Sequence, residues 1–163
     1  MWAIKRILVP VDFSDTSRAA ISAALQIASD QDASVVLLHV EAGMDKEIKR
    51  RIYEAPNEST IDDTIAYNEQ ALRDAANLEI HRARESGNPL AYVSVTPRIV
   101  GGELLEVVLR LIEELDVDLV VSGTHGRGAG VKGMFASYSE KIVAKASCSV
   151  LVVKPQGFPY LVD

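Results

Sequence analysis

Short runs of consecutive apolar residues alternate along the chain with longer stretches of helical periodicity. Residues 6–11 (RILVPV), 34–40 (SVVLLHV), 119–121 and 150–153 are rich in β-branched side chains and almost uninterrupted. That is the pattern of strands buried on both faces. Pro10 falls near the end of the first run, where the chain leaves the sheet and a lost ladder bond is tolerable. Residues 92–100 alternate more loosely, with Val93 and Val95 followed by Pro97, and read as a strand nearer the sheet edge. Between the runs, Ile21, Ala24, Leu25 and Ala28 mark one helical face, with Ser14 or Asp15 as the candidate N-cap. Ser59 and Asp62 resemble a capping box ahead of a long helix reaching about residue 86, with Ile61, Ile65, Leu72 and Ala76 inward. Gly87, Asn88 and Pro89 stop it. Leu104, Val108, Leu111 and Leu115 form the stripe of another helix, and Tyr138, Ile142 and Ala146 one side of a last helix over 137–146. The order βαβαβαβαβ predicts an α/β fold, a mostly parallel sheet covered on both faces. Ligands in such folds bind beyond the carboxyl ends of the strands, where the strand order reverses.

The chemistry concentrates in residues 120–141, VVSGTHGRGAGVKGMFASYSEK. A strand feeds a glycine-rich loop that opens a helix, an arrangement suited to phosphate. Glycines allow close approach of backbone N–H groups, and the helix start adds unsatisfied donors and the positive end of its dipole. A P-loop is excluded, because Lys132 is followed by Gly133 rather than Ser or Thr. Gly128, Gly130 and Gly133 match the letters of a dinucleotide fingerprint, but too far past the strand, and Lys154 stands where an acid should hold the ribose. Asp12, at the end of the first strand, is either a ribose acceptor or a helix-cap residue. Arg127 and Lys132 either neutralise phosphate or are exposed loop charges. His39 and His125 both follow strands, but no third metal ligand lies at useful spacing. No base is placed to activate Ser14, Ser137 or Ser139.

Composition narrows the picture further. At 163 residues, with 48% hydrophobic and 25% charged residues, the chain reads as one domain over 1–155 and a tail over 156–163. A net charge of −6 disfavours nucleic-acid and anionic-membrane partners. The apolar run near the start is short for a signal peptide and no run is long enough to span a membrane, so a cytoplasmic protein is expected. The single cysteine, Cys148, reads as a buried, inert thiol. Residues 42–59 lack a clean pattern. A short helix over 44–55 carrying Lys46, Lys49, Arg50 and Arg51 is either a solvated face or a lid over an anionic ligand.

Several segments together resemble the universal stress protein family: ILVPVDFSDTS at 7–17, LLHV at 37–40, DLVVSGTHGR at 118–127, SEKI at 139–142 and SCSVLVVKP at 147–155. The family's nucleotide motif, G-x2-G-x9-G-[ST], is met by Gly123, Gly126 and Ser137, with Ala136 in place of its third glycine. The resemblance implies a five-stranded parallel sheet of order 3-2-1-4-5 in a Rossmann-like three-layer sandwich. It implies a regulatory switch or sensor in stress response that binds ATP (or ADP or AMP), at most a slow ATPase rather than a dedicated enzyme, with Mg²⁺ as companion ion. A nucleotide-independent interaction protein is the alternative that Ala136 favours. The implied site places Asp12 on the ribose or adenine side with Pro10 and Val11 nearby, and the Val40 backbone on adenine. Ser122, Gly123, Gly126 and Arg127 would line ribose and phosphates, and Ala136, Ser137 and Tyr138 the phosphate-binding helix start. The resemblance also implies a homodimer through strand 150–153, from Val150 to Val153, and an unidentified regulatory protein partner.

Overall fold

The computed structural model describes residues 3–41, 61–124 and 136–154, with backbone alone at 61–64 and 136–137. Among them strands and helices alternate: β1 (Arg6–Pro10), α1 (Asp15–Gln31), β2 (Ser34–Glu41), α2 (Ile61–Glu85), β3 (Val95–Gly101), α3 (Leu104–Glu114), β4 (Leu119–Gly123), α4 (Ala136–Lys145) and β5 (Ser149–Val153). The expected segment 42–59, its lysines and arginines, and the tail lie outside the described residues.

The five strands form one sheet of order β3-β2-β1-β4-β5, every pair parallel. This is the order that the family resemblance implied. Apolar runs without alternation produce it because both faces of each central strand are covered. Ile7 and Val9 of β1, Val35 and Leu37 of β2, and Leu119 and Val121 of β4 pack with Ile21, Leu25, Leu72 and Ala76 from α1 and α2. Leu8, Leu38 and Val120 point the other way, onto Val108, Leu111 and Ile112 of α3 and Ile142 of α4. Small side chains let α1 lie close to the sheet: Ala20, Ala24 and Ala28 are all buried.

Two expectations needed adjustment. The strand expected over 92–100 starts only at Val95, and Tyr92 is 94% exposed. Its partner β2 begins at Ser34, so the residues before Ser94 have no ladder to join. The carbonyl of Ser94 accepts from the Val35 N–H at 2.8 Å. In that register the amides of Thr96, Arg98 and Val100 face β2, and Pro97 turns its nitrogen to the open edge, where no donor is needed. The last helix starts at Ala136 and ends at Lys145, so Ala146 packs from just beyond it.

Candidate functional site

At the carboxyl ends of β1 and β4 the chain reverses in opposite directions, and this is where the two halves of the sheet part. The turn after β1 is built by side chains. Asp12 Oδ1 accepts from the Ser14 amide at 3.0 Å and from the Ser14 hydroxyl at 2.5 Å. Ser14 is the N-cap of α1, its Oγ accepting from the Ser17 amide at 3.2 Å. Of the two roles open to Asp12, the cap itself therefore falls to Ser14, and Asp12 braces it. Phe13 between them has φ 62°. Asp32 and Asp116 share that left-handed backbone, which aspartate tolerates through local hydrogen bonds; an aromatic residue does so only under constraint. The Phe13 ring lies against the imidazole of His39, centroids 5.0 Å apart. His39 Nδ1 donates to the Val11 carbonyl at 2.8 Å, and its Nε2 is 3.0 Å from Glu41 Oε2.

The end of β4 is built by close packing. Gly123 has no special backbone angle, yet a Cβ placed there would stand 2.8 Å from the Thr16 carbonyl oxygen and 2.9 Å from Thr16 Cβ. Only glycine lets β4 run this close to the first turn of α1. The Gly123 carbonyl accepts from Ser139 Oγ at 2.7 Å and from Ser122 Oγ at 3.2 Å, and the two hydroxyls are 3.3 Å apart. Ser139 is buried in α4. These bonds tie the first turns of α4 to the switch point and aim the helix start towards it. The Thr124 amide donates to the Val153 carbonyl at 3.2 Å, while its hydroxyl oxygen is buried and finds no partner among the described residues.

The structure thus brings Pro10, Val11, Asp12, Ser122 and Gly123 to one end of the sheet, with Val40 one strand away on β2. Ala136 and Ser137 occupy the first turn of α4, where a helical backbone suits alanine. Gly126 and Arg127, with His125 and Lys132, lie outside the described residues. Tyr138 turns its side chain elsewhere. The Glu103 carboxylate beside its hydroxyl, together with burial, raises the phenol above its ordinary value. Glu103 is the N-cap of α3, so Tyr138 joins two helix starts. Cys148 is half-buried against the α3 side of the core rather than fully enclosed, and burial raises its thiol. No cluster of three or more His, Cys, Asp or Glu side chains is assembled for a metal among the described residues. No described helix is long and apolar enough to cross a membrane.

The roles of Ser139, Phe13 and His39 were not visible in the sequence. Nothing in the spacing of Ser139 reveals a bond to a residue 16 positions away. Its one visible signal is a small hydroxyl on the same helical face as Ile142.

Residues 3–154 match the sequence model of the Universal stress protein family. A universal stress protein of Methanocaldococcus jannaschii is 26% identical over 156 residues, covering 92% of this chain and 94% of the relative. Among solved structures, a universal stress protein in complex with cAMP superposes with a TM-score of 0.61 at 19% identity, covering 93% of this chain and 98% of the other. A universal stress protein family protein from Arabidopsis thaliana with AMP bound does so with a TM-score of 0.56 at 18% identity, covering 98% of this chain and 97% of the other.

Proposed function

The chain belongs to the universal stress protein family, and from that membership we propose that it is an adenine-nucleotide-binding regulatory protein with its site at the β1/β4 switch point. The observation that carries this reading is the junction at Gly123. There the Asp12 turn, the glycine end of β4 and the start of α4 are locked together by Ser139 and by contact with Thr16. A carboxylate, a close-approach backbone and a helix N-terminus at one point suit a ribose joined to phosphate. The Thr124 hydroxyl, without a partner among the described residues, supports a polar occupant, since such a group left dry costs about 1–3 kcal/mol. The related folds carry cAMP and AMP.

In this reading Asp12 faces the ribose, with Pro10 and Val11 forming the adjoining wall and the Val40 backbone meeting adenine. Ser122, Gly123 and Gly126 serve ribose and phosphates, Arg127 adds positive charge, and the first turn of α4, with Ala136, Ser137 and the Tyr138 amide, receives phosphate. The nucleotide is ATP, with Mg²⁺ carried on its phosphates rather than by a protein cage. Occupancy alters the surface offered to a regulatory protein partner, and two copies pair through the β5 edge. Leu151 on β5 is 38% exposed, and the strand Ser149–Val153 carries no proline or charge of its own.

Denaturing freshly purified protein and identifying the released small molecules by mass spectrometry tests the ligand. AMP, ADP or ATP is expected. No released nucleotide, together with no calorimetric heat on titrating Mg·ATP, AMP or cAMP, would falsify it. Light scattering of Leu151→Lys tests the dimer: the substitution yields monomers, and an unchanged mass removes β5 from the interface.

A further inference from the structure

His39 is the feature that the proposed site does not yet use. In a parallel ladder, alternate residues of a strand turn their N–H and C=O to the same neighbour. On β2, Ser34 donates to the Lys5 carbonyl at 2.9 Å, and the Leu38 carbonyl accepts from the Val11 amide at 2.7 Å. Even-numbered residues of β2 therefore face β1. The next in line is Val40, whose N–H the pattern assigns to the Val11 carbonyl. That carbonyl is held instead by a side chain, His39 Nδ1, at 2.8 Å. A carbonyl only accepts, so Nδ1 carries the proton. The ring cannot swing away easily. Its side chain is 17% exposed, with Glu41 at Nε2 and the Phe13 ring on its face. Strand pairing between β1 and β2 stops at Pro10 and Leu38, and immediately beyond it Phe13 takes the chain off through its left-handed turn.

We infer that His39 is a positioning residue that ends the β1–β2 ladder by taking the Val11 carbonyl, and so leaves the N–H and C=O of Val40 without a ladder partner on β1, as a donor–acceptor pair at the mouth of the site. Such a pair complements adenine, whose N1 accepts and whose N6 amino group donates. It mismatches guanine, whose N1 donates and whose O6 accepts. His39 thereby sets base preference without touching the base. The inference rests on the adenine-nucleotide reading for its ligand, while the backbone device stands apart from it.

The test has two arms. In nucleotide-free protein, amide hydrogen exchange by NMR reads the ladder. The Val40 amide exchanges about tenfold or more faster than that of Leu38, and His39→Ala slows it as the Val11 carbonyl returns to Val40. Calorimetry with ATP and GTP reads the consequence. His39→Ala and His39→Gln lose about tenfold in ATP affinity and most of the preference over GTP. His39→Asn, whose amide nitrogen sits near the Nδ1 position, keeps both. Melting curves confirm that each variant is folded; if His39→Ala is not, the Asn–Gln contrast decides. A Val40 amide as protected as Leu38 in the wild type overturns the inference, as does unchanged affinity and preference in a folded His39→Gln. Wild-type protein that binds no nucleotide while Val40 exchanges fast sinks the adenine reading and leaves the ladder device in place.

Discussion

The two chain reversals at the switch point reach the same place by different physics. The turn after β1 is held by side chains close in sequence. Asp12, Ser14 and Ser17 satisfy one another's donors and acceptors, and the helix dipole gains a capped start. The end of β4 is held by the absence of a side chain at Gly123 and by a hydroxyl arriving from α4. The first turn is thus a local device that a peptide could partly form. The second exists only once α1, β4 and α4 are packed. Damage at β4 should accordingly spread to all three elements, whereas damage at β1 should stay in the turn.

The largest effect is expected from Gly123→Ala. The new methyl meets the Thr16 backbone, which belongs to a helix and cannot swing aside, so about 1–3 kcal/mol of stability is lost. Urea denaturation measures the loss; a midpoint equal to wild type would show that β4 and α1 can slide apart without cost. Next comes Asp12→Ala, which strips the Ser14 amide and hydroxyl of their acceptor and costs about 1–2 kcal/mol. Asp12→Asn keeps an acceptor oxygen and should recover most of that stability while still weakening nucleotide binding. Equal stability loss in both variants would assign the brace to the charge instead. Ser139→Ala follows at about 1 kcal/mol, since Ser122 still reaches the Gly123 carbonyl. Its diagnostic is a larger fall in phosphate-dependent affinity than in affinity for adenosine, read by calorimetry, because α4 loses its tie to the switch point.

The smallest effect belongs to Tyr138→Phe. The folded phenol is raised above its unfolded value by Glu103, so its contribution is fully present below the ordinary tyrosine range and fades as pH rises through the folded value. Thermal melts across the alkaline range should show a shallower loss of stability in Tyr138→Phe than in wild type. Parallel curves would remove the Glu103 contact from the account.

Most of the fold was legible in the chain because its signals are local. Uninterrupted apolar runs gave the central strands, Ile21, Ala24, Leu25 and Ala28 gave the buried face of the first helix, and Pro97 gave the sheet edge. The loose end of β3 was less legible, since Tyr92 and Val93 have strand character but no partner beside them. The family motif pointed to Gly123 and the wider resemblance to Asp12, although for Gly123 the packed structure supplies a reason the motif does not carry, the approach of Thr16. Ala136 read as a defect in that motif, yet it opens a helix, where alanine is at ease.

Periodicity, caps and glycine positions determined the class of fold, the sheet's composition and the end of the sheet at which to look. They act through neighbours a few residues away, and a single chain displays those directly. Tertiary structure alone decided that His39 takes a carbonyl 28 residues distant, that Ser139 closes onto Gly123, and that Phe13 is held in a left-handed turn. Each of these depends on which strand lies beside which, and a hydrogen bond between distant residues leaves no spacing in the sequence to read.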